Sequence, residues 1–122
     1  MRRVFASLFS VILLLNSSST AEAHSTLVSS NPKSGSQLRL LPPRVSLTFN
    51  ENLLIISGKQ PHTLSVTSTN GDSISIGPVS IIGARISKRL NSEVAKGRFK
   101  VSYRVVSADG HPIEGQYFFT VK

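Results

Sequence analysis

Cysteine and tryptophan are absent from this 122-residue sequence, and its one methionine is Met1. Without cysteine there is no disulfide framework and no thiolate for nucleophilic or metal chemistry. Without an internal methionine there is no soft sulfur of the kind that holds Cu(I) or an iron–sulfur cluster. Imidazole, amine and carboxylate remain, and these suit Cu(II), Zn(II) or Ni(II). Past Leu15 no apolar run approaches the roughly 20 residues of a membrane-spanning helix. Acidic residues are scarce, 6 against 14 Lys and Arg, for a formal charge of +8. Aromatics are only 7% of the chain. The two dense basic stretches, Arg85 to Arg89 and Lys96 to Lys100, lack the interleaved rings of a base-stacking surface, so a solvated basic face is expected rather than a nucleic-acid site.

The amino terminus reads as an export signal. Met1-Arg2-Arg3 is cationic, Val4 to Leu15 is almost wholly apolar, and Ala21-Glu22-Ala23 supplies the small-x-small cleavage pattern. Processing after Ala23 would leave one domain, residues 24–122, outside the cytoplasm. It would also make His24 the first residue. A histidine at a free amino terminus offers its α-amine and a ring nitrogen on one residue, placed to chelate a metal.

The remaining chain reads as short strands. Val45, Leu47 and Phe49 alternate with Arg44, Ser46 and Thr48, and Leu64 and Val66 alternate with Ser65 and Thr67. Asn70-Gly71 then marks a hairpin into Ile74 and Ile76. Leu53 to Ile56 is a continuous apolar run that fits a buried strand or a crossover. Ser87 to Lys96 has room for one helical turn. Phe99, Val101, Tyr103 and Val105 give the longest alternation, repeated by Tyr117, Phe119 and Val121. Short strands with turn residues between them predict a small antiparallel sandwich or barrel.

The last two strand signals are joined by Ser107-Ala108-Asp109-Gly110-His111-Pro112. Residues two apart in extended chain project to one side, so Asp109 and His111 can converge on a point. Gly110 permits an unusual backbone angle, and Pro112 restrains the turn on its other flank. With His24 they would form a nitrogen-rich set with one carboxylate. His62, alone after Pro61, is expected to be an exposed loop residue.

Three stretches together resemble the CopC-type copper-binding family: Ala23 to Gly35, Pro43 to Glu51, and Tyr103 to Ile113 with Gly115. The resemblance implies an all-β, small Greek-key sandwich, cupredoxin-like or immunoglobulin-like. It implies one Cu(II) per chain, held outside the cytoplasmic membrane for copper homeostasis, resistance or delivery to a CopD-like membrane transporter. Carried over residue by residue, it makes His24, Asp109 and His111 the metal ligands, with Glu51 near the site. It implies a monomeric carrier, not an enzyme. The methionine-rich loop of some members has no counterpart here. Two other readings stay open: a copper-dependent oxidase of histidine-brace type, and a metal-free basic sandwich binding an anionic envelope partner.

Overall fold

The structure, a computed structural model, describes residues 26–122. The expected leader and His24 lie outside the described residues. Eight strands follow in order: β1 (Leu27–Asn31), β2 (Gln37–Leu38), β3 (Arg44–Phe49), β4 (Thr63–Ser68), β5 (Ser75–Ile82), β6 (Arg85–Leu90), β7 (Gly97–Val106) and β8 (Pro112–Val121). They make two four-stranded sheets, β1-β3-β6-β5 and β2-β8-β7-β4. The expected all-β sandwich is what the chain forms.

Alternation along each strand explains the two layers. Val45, Leu47 and Phe49 of β3 are buried, as are Leu64 and Val66 of β4 and Phe99, Val101 and Val105 of β7. Each residue between them on these strands is at least partly exposed. Period-2 patterning thus gives each sheet one apolar face, and the faces meet. Phe99 and Phe119, register partners across β7 and β8, sit with ring centroids 5.4 Å apart. A ring pair at that spacing adds about 0.5–1.5 kcal/mol beyond its area burial.

The chain stays within a sheet only at the β5–β6 and β7–β8 hairpins and changes sheet at every other connection. One expectation is corrected here. The Asn70-Gly71 turn forms, with Gly71 at φ +90° and the Gly71 N–H donating to Ser68 O at 3.0 Å. It does not make a hairpin ladder, however, because β4 pairs with β7 while β5 pairs with β6. Only the bridge Thr67↔Ser73 and a few hydrogen bonds hold the turn's stem. Turn chemistry fixes where the chain reverses; the partner is the neighbour that completes an apolar face, and the ten-residue β7 does this for all of β4.

One further expectation changes. Ser87 to Leu90 belongs to β6, and Asn91 to Lys96 is a turn without a helix, in which the Asn91 side chain accepts from the Glu93 N–H at 3.1 Å. Of the two readings of Leu53–Ile56, the crossover holds and the buried strand does not: the run lies between β3 and β4, which belong to different sheets, with Leu53 in the core and Ile55 71% exposed. Leu53 makes an isolated bridge to Ser107. Tyr103 packs edge-on against Phe49 at 5.8 Å, and its ring covers Gly115, where any Cβ would collide with the phenol. Among the described residues no helix is long and apolar enough to cross a membrane.

Candidate metal centre

The β7–β8 ladder ends at Val106↔Pro112, leaving Ser107 to His111 as the connection. Ser107 N–H donates to His111 O at 2.9 Å and Gly110 N–H to Ser107 O at 2.8 Å. A turn of this kind needs a left-handed residue after it, and Gly110, at φ +90°, takes that conformation without a steric penalty. The sequence Ala108-Asp109-Gly110 is therefore what lets a short connection reverse the chain while keeping both flanking strands in register.

This geometry gathers donors around one carboxylate. Asp109 Oδ2 lies 2.9 Å from His111 Nδ1. Its Oδ1 accepts from the Ser107 hydroxyl and from the His111 backbone N–H, the latter at 3.3 Å. The Ser107 hydroxyl, with its residue fully buried, first of all, and then the His111 ring hold the Asp109 carboxyl at a pKa of about 2, well below its usual range. Both site side chains face solvent, with Asp109 46% and His111 61% exposed. With Nδ1 turned to the carboxylate, Nε2 becomes the ring nitrogen whose lone pair suits a metal, an arrangement common where a carboxylate orients a ligating histidine.

The hairpin is anchored to the turn that follows β3. Ala108 N–H donates to Asn52 O at 2.9 Å, and Leu54 N–H to Val106 O at 2.9 Å. The other end of the same turn holds the start of the described chain. Thr26 N–H donates to Asn50 Oδ1 at 2.7 Å, and Asn50 N–H to Thr26 O at 3.0 Å. Residues 50–52 thus link Thr26 on one side to Ala108, the neighbour of Asp109, on the other.

Of the sequence-predicted residues, Asp109 and His111 are brought together. Glu51 sits half-buried in the linking turn, and it is not gathered with that pair: the described residues hold no group of three or more His, Asp or Glu side chains around one point. His24 lies outside the described residues. Sequence reasoning passed over Ser107, Asn50 and Asn52, whose polar groups hold the turn; Ser107, two residues before Asp109, carried a local signal.

His62 contradicts its expectation as an exposed loop residue, since it is only 3% exposed. Its Nδ1 accepts from Val106 N–H at 3.1 Å, and Nε2 donates to Leu54 O at 2.8 Å. With both nitrogens paired, burying the neutral ring costs little. The ring clamps the segment after β3 onto the end of β7, directly behind the hairpin. Parity was the missed signal: His62 is two residues before Leu64 and four before Val66, so period 2 sends all three inward. No ring nitrogen of His62 is left to serve a metal.

Residues 27–122 match the CopC domain family model. The chain is 32% identical to copper resistance protein C of Pseudomonas syringae pv. tomato, over 99% of this chain and 97% of that one. It is 29% identical to the copper transport protein CutJ of Bacillus subtilis over 84% of this chain, which is only 19% of that protein. Among solved structures, CopC from Methylosinus trichosporium OB3b superposes with a TM-score of 0.66 at 27% identity, covering 81% of this chain and 94% of that one. PcoC, a methionine-rich copper resistance protein from Escherichia coli, gives a TM-score of 0.66 at 29% identity, covering 82% of this chain and all of that one. Matched over nearly its whole described length by sequence and by fold, the chain belongs to the CopC family of copper resistance and copper transport proteins.

Proposed function

We propose that this protein is an extracytoplasmic carrier that holds one Cu(II) ion between its processed amino terminus and the β7–β8 hairpin. The observation that carries the reading is the pair of links from the 50–52 turn. That turn hydrogen-bonds Thr26 at one end and Ala108 at the other. Two residues of chain reach at most about 7 Å from Thr26, and this short tether to the linking turn supports a role for the His24 amine and imidazole beside Asp109 and His111.

The donor set then comprises the His24 amine and ring, the His111 ring through Nε2, and an Asp109 oxygen, the nitrogen and oxygen mixture that Cu(II) prefers in a tetragonal plane. In the conformation described, both Asp109 oxygens already accept hydrogen bonds, which supports a role in aiming His111. A turn of the carboxylate would make it a ligand. Glu51, in the linking turn, is at most an outer group. Binding requires the amine, with an ordinary pKa of about 7.7–8.0, and the imidazoles, near 6.5, to be deprotonated, so affinity falls as pH drops through that range. The protein acts by reversible binding and not by catalysis, as a monomer, releasing copper to a membrane transport protein. The likeness to one segment of a protein named for copper transport supports that last step.

The test is mass spectrometry of the exported protein, then Cu(II) titration followed by electron paramagnetic resonance. A mass beginning at His24, with one equivalent of nitrogen-rich tetragonal copper that is lost when one residue is added before His24, is the expected result. Binding indifferent to that added residue, or unchanged in His111→Ala, overturns the assignment.

A further inference from the structure

The outer face of the β1-β3-β6-β5 sheet carries three arginines and no carboxylate. Arg44 of β3 stands directly across from Arg89 of β6, and Arg85 stands across from Thr48. All three are exposed. Like charges directly opposed on neighbouring strands are destabilising, so the arrangement costs the fold something. No Asp or Glu occurs on any of the four strands. What orients the guanidinium groups is hydroxyl: Arg44 Nη1 donates to Ser87 Oγ at 3.2 Å and Arg85 Nε to Thr48 Oγ1 at 3.4 Å. Beside Arg85, a shallow recess of about 210 Å³ is lined by Ser29, Asn31, Ser46 and Thr48 among others.

The opposite sheet behaves differently. There Arg98 lies over the Phe118 ring at 4.1 Å, and Arg104 pairs with Glu114 at 3.1 Å. Two of its cations are thus satisfied within the molecule, whereas among the described residues Arg44 and Arg85 meet hydroxyls and no carboxylate pairs with either of them or with Arg89. Along the β5 edge the arginine face is flanked by Ile76 and Ile82, 41% and 75% exposed, which are register partners of Arg89 and Arg85.

We propose that this face is a docking surface for an acidic, carboxylate-bearing surface of a partner protein. Arginine forks match carboxylates in a bidentate manner, and arginine with flanking apolar side chains is the composition of a protein interface; Lys88, the one lysine on these strands, stands opposite buried Val45 and so belongs to the sheet's other face. Lipid-binding basic clusters take about four to eight cations, more than this face holds. A second copy of the chain is disfavoured, because a two-fold contact would set arginine against arginine. The Arg85 end abuts the 50–52 turn, since Phe49 N–H bonds Ala84 O at 2.9 Å and Leu53 N–H bonds Gly83 O at 3.0 Å. A docked partner would therefore reach the hairpin's edge. That adjacency serves the copper reading above, but the docking itself does not depend on it.

The experiment is an amide NMR titration of the metal-free protein, expressed from its full sequence, with a short synthetic glutamate-rich peptide and separately with phosphatidylglycerol vesicles. The peptide is expected to shift the amides of Arg44 to Thr48 and Arg85 to Arg89. The double variant Arg44→Glu with Arg89→Glu should weaken it by roughly tenfold or more, since facing like charges is costly. Arg98→Glu with Lys100→Glu should leave affinity within a small factor. The neutral pair Arg44→Gln with Arg89→Gln, which relieves the cross-strand repulsion, should fold at least as well and still lose the peptide. Equal weakening by both charge-reversal pairs, shifts centred on Lys96 to Lys100, or binding to vesicles alone would overturn the proposal.

Discussion

Replacing His62 by leucine keeps the side chain apolar and of comparable bulk while removing both ring nitrogens. Two backbone groups then lose their partners, the Val106 N–H at 3.1 Å and the Leu54 carbonyl at 2.8 Å. Each hydrogen bond contributes about 1 kcal/mol net, and an orphaned buried group costs about 1–3 kcal/mol. Because both backbone groups belong to partly exposed residues, the lower end applies, and the expected loss is about 2–4 kcal/mol. Against a total stability of about 5–15 kcal/mol that is a large fraction. Urea unfolding followed by far-ultraviolet circular dichroism reads it as a lower midpoint at unchanged slope. Asparagine, whose side-chain oxygen can stand in for Nδ1, and glutamine, whose amide can stand in for Nε2, should each restore about 1 kcal/mol. The expected order is leucine below asparagine and glutamine, with histidine highest. A leucine variant within 0.5 kcal/mol of the parent would refute the clamp, whatever its effect on copper.

Asp109 should stay ionised in the folded protein down to about pH 2. A depressed carboxyl contributes stability that is present above the unfolded value near 3.9 and is lost as pH falls towards 2. Carbon NMR titration of the Asp109 carboxyl checks this, and Ser107→Ala, which deletes the leading cause, should move it back towards the ordinary range; coincident curves for the two proteins would contradict the hairpin geometry. Tyr117 shifts the other way: its hydroxyl is buried with no well-formed hydrogen bond among the described residues, and burial pushes its pKa up to about 12, a weaker interaction with the Ser30 hydroxyl opposing this in part. Its contribution is complete below the unfolded value near 10 and lost as pH rises towards 12, so Tyr117→Phe should be as stable as the parent or up to about 1 kcal/mol more so at neutral pH, and less sensitive to alkali, in urea unfolding at pH 7 and above 10.

Much of the fold was legible because both halves of the sandwich obey one rule. Val45, Leu47 and Phe49, or Phe99, Val101 and Val105, declare their buried face by parity alone. The hairpin holding Asp109 and His111 was legible for the same reason, since two long alternating runs had to reverse around a Gly. Pairing was less visible. Asn70-Gly71 marked a reversal correctly, but a turn carries no information on which strand will lie beside the next, and β4 found its partner at β7, more than thirty residues on. His62 was misjudged because a histidine after a proline was read by residue type, when its spacing from Leu64 already assigned it to the core. The backbone links of Asn50 to Thr26 and of Ala108 to Asn52 could not be read at all, because they join segments distant in sequence through atoms that every residue possesses, whereas Ser107 lay two residues from Asp109 and could have been.

The contrast with a relative described as methionine-rich bears on what this chain can hold. Here the lone methionine is Met1, and cysteine is absent. A protein with both soft and hard donors can bind copper in either oxidation state and pass it between two sites. One limited to imidazole, amine and carboxylate holds Cu(II) better than Cu(I), which favours sulfur. In the proposed reading the nitrogen and oxygen set of His24, Asp109 and His111 would favour Cu(II), so a reductant supplied from outside would weaken the hold on copper. Adding ascorbate to the copper-loaded protein in the presence of a Cu(I) chelator should strip the metal, while the same chelator without reductant should not. Retention of copper after reduction would refute release by reduction and would mean that the imidazoles suffice to hold Cu(I).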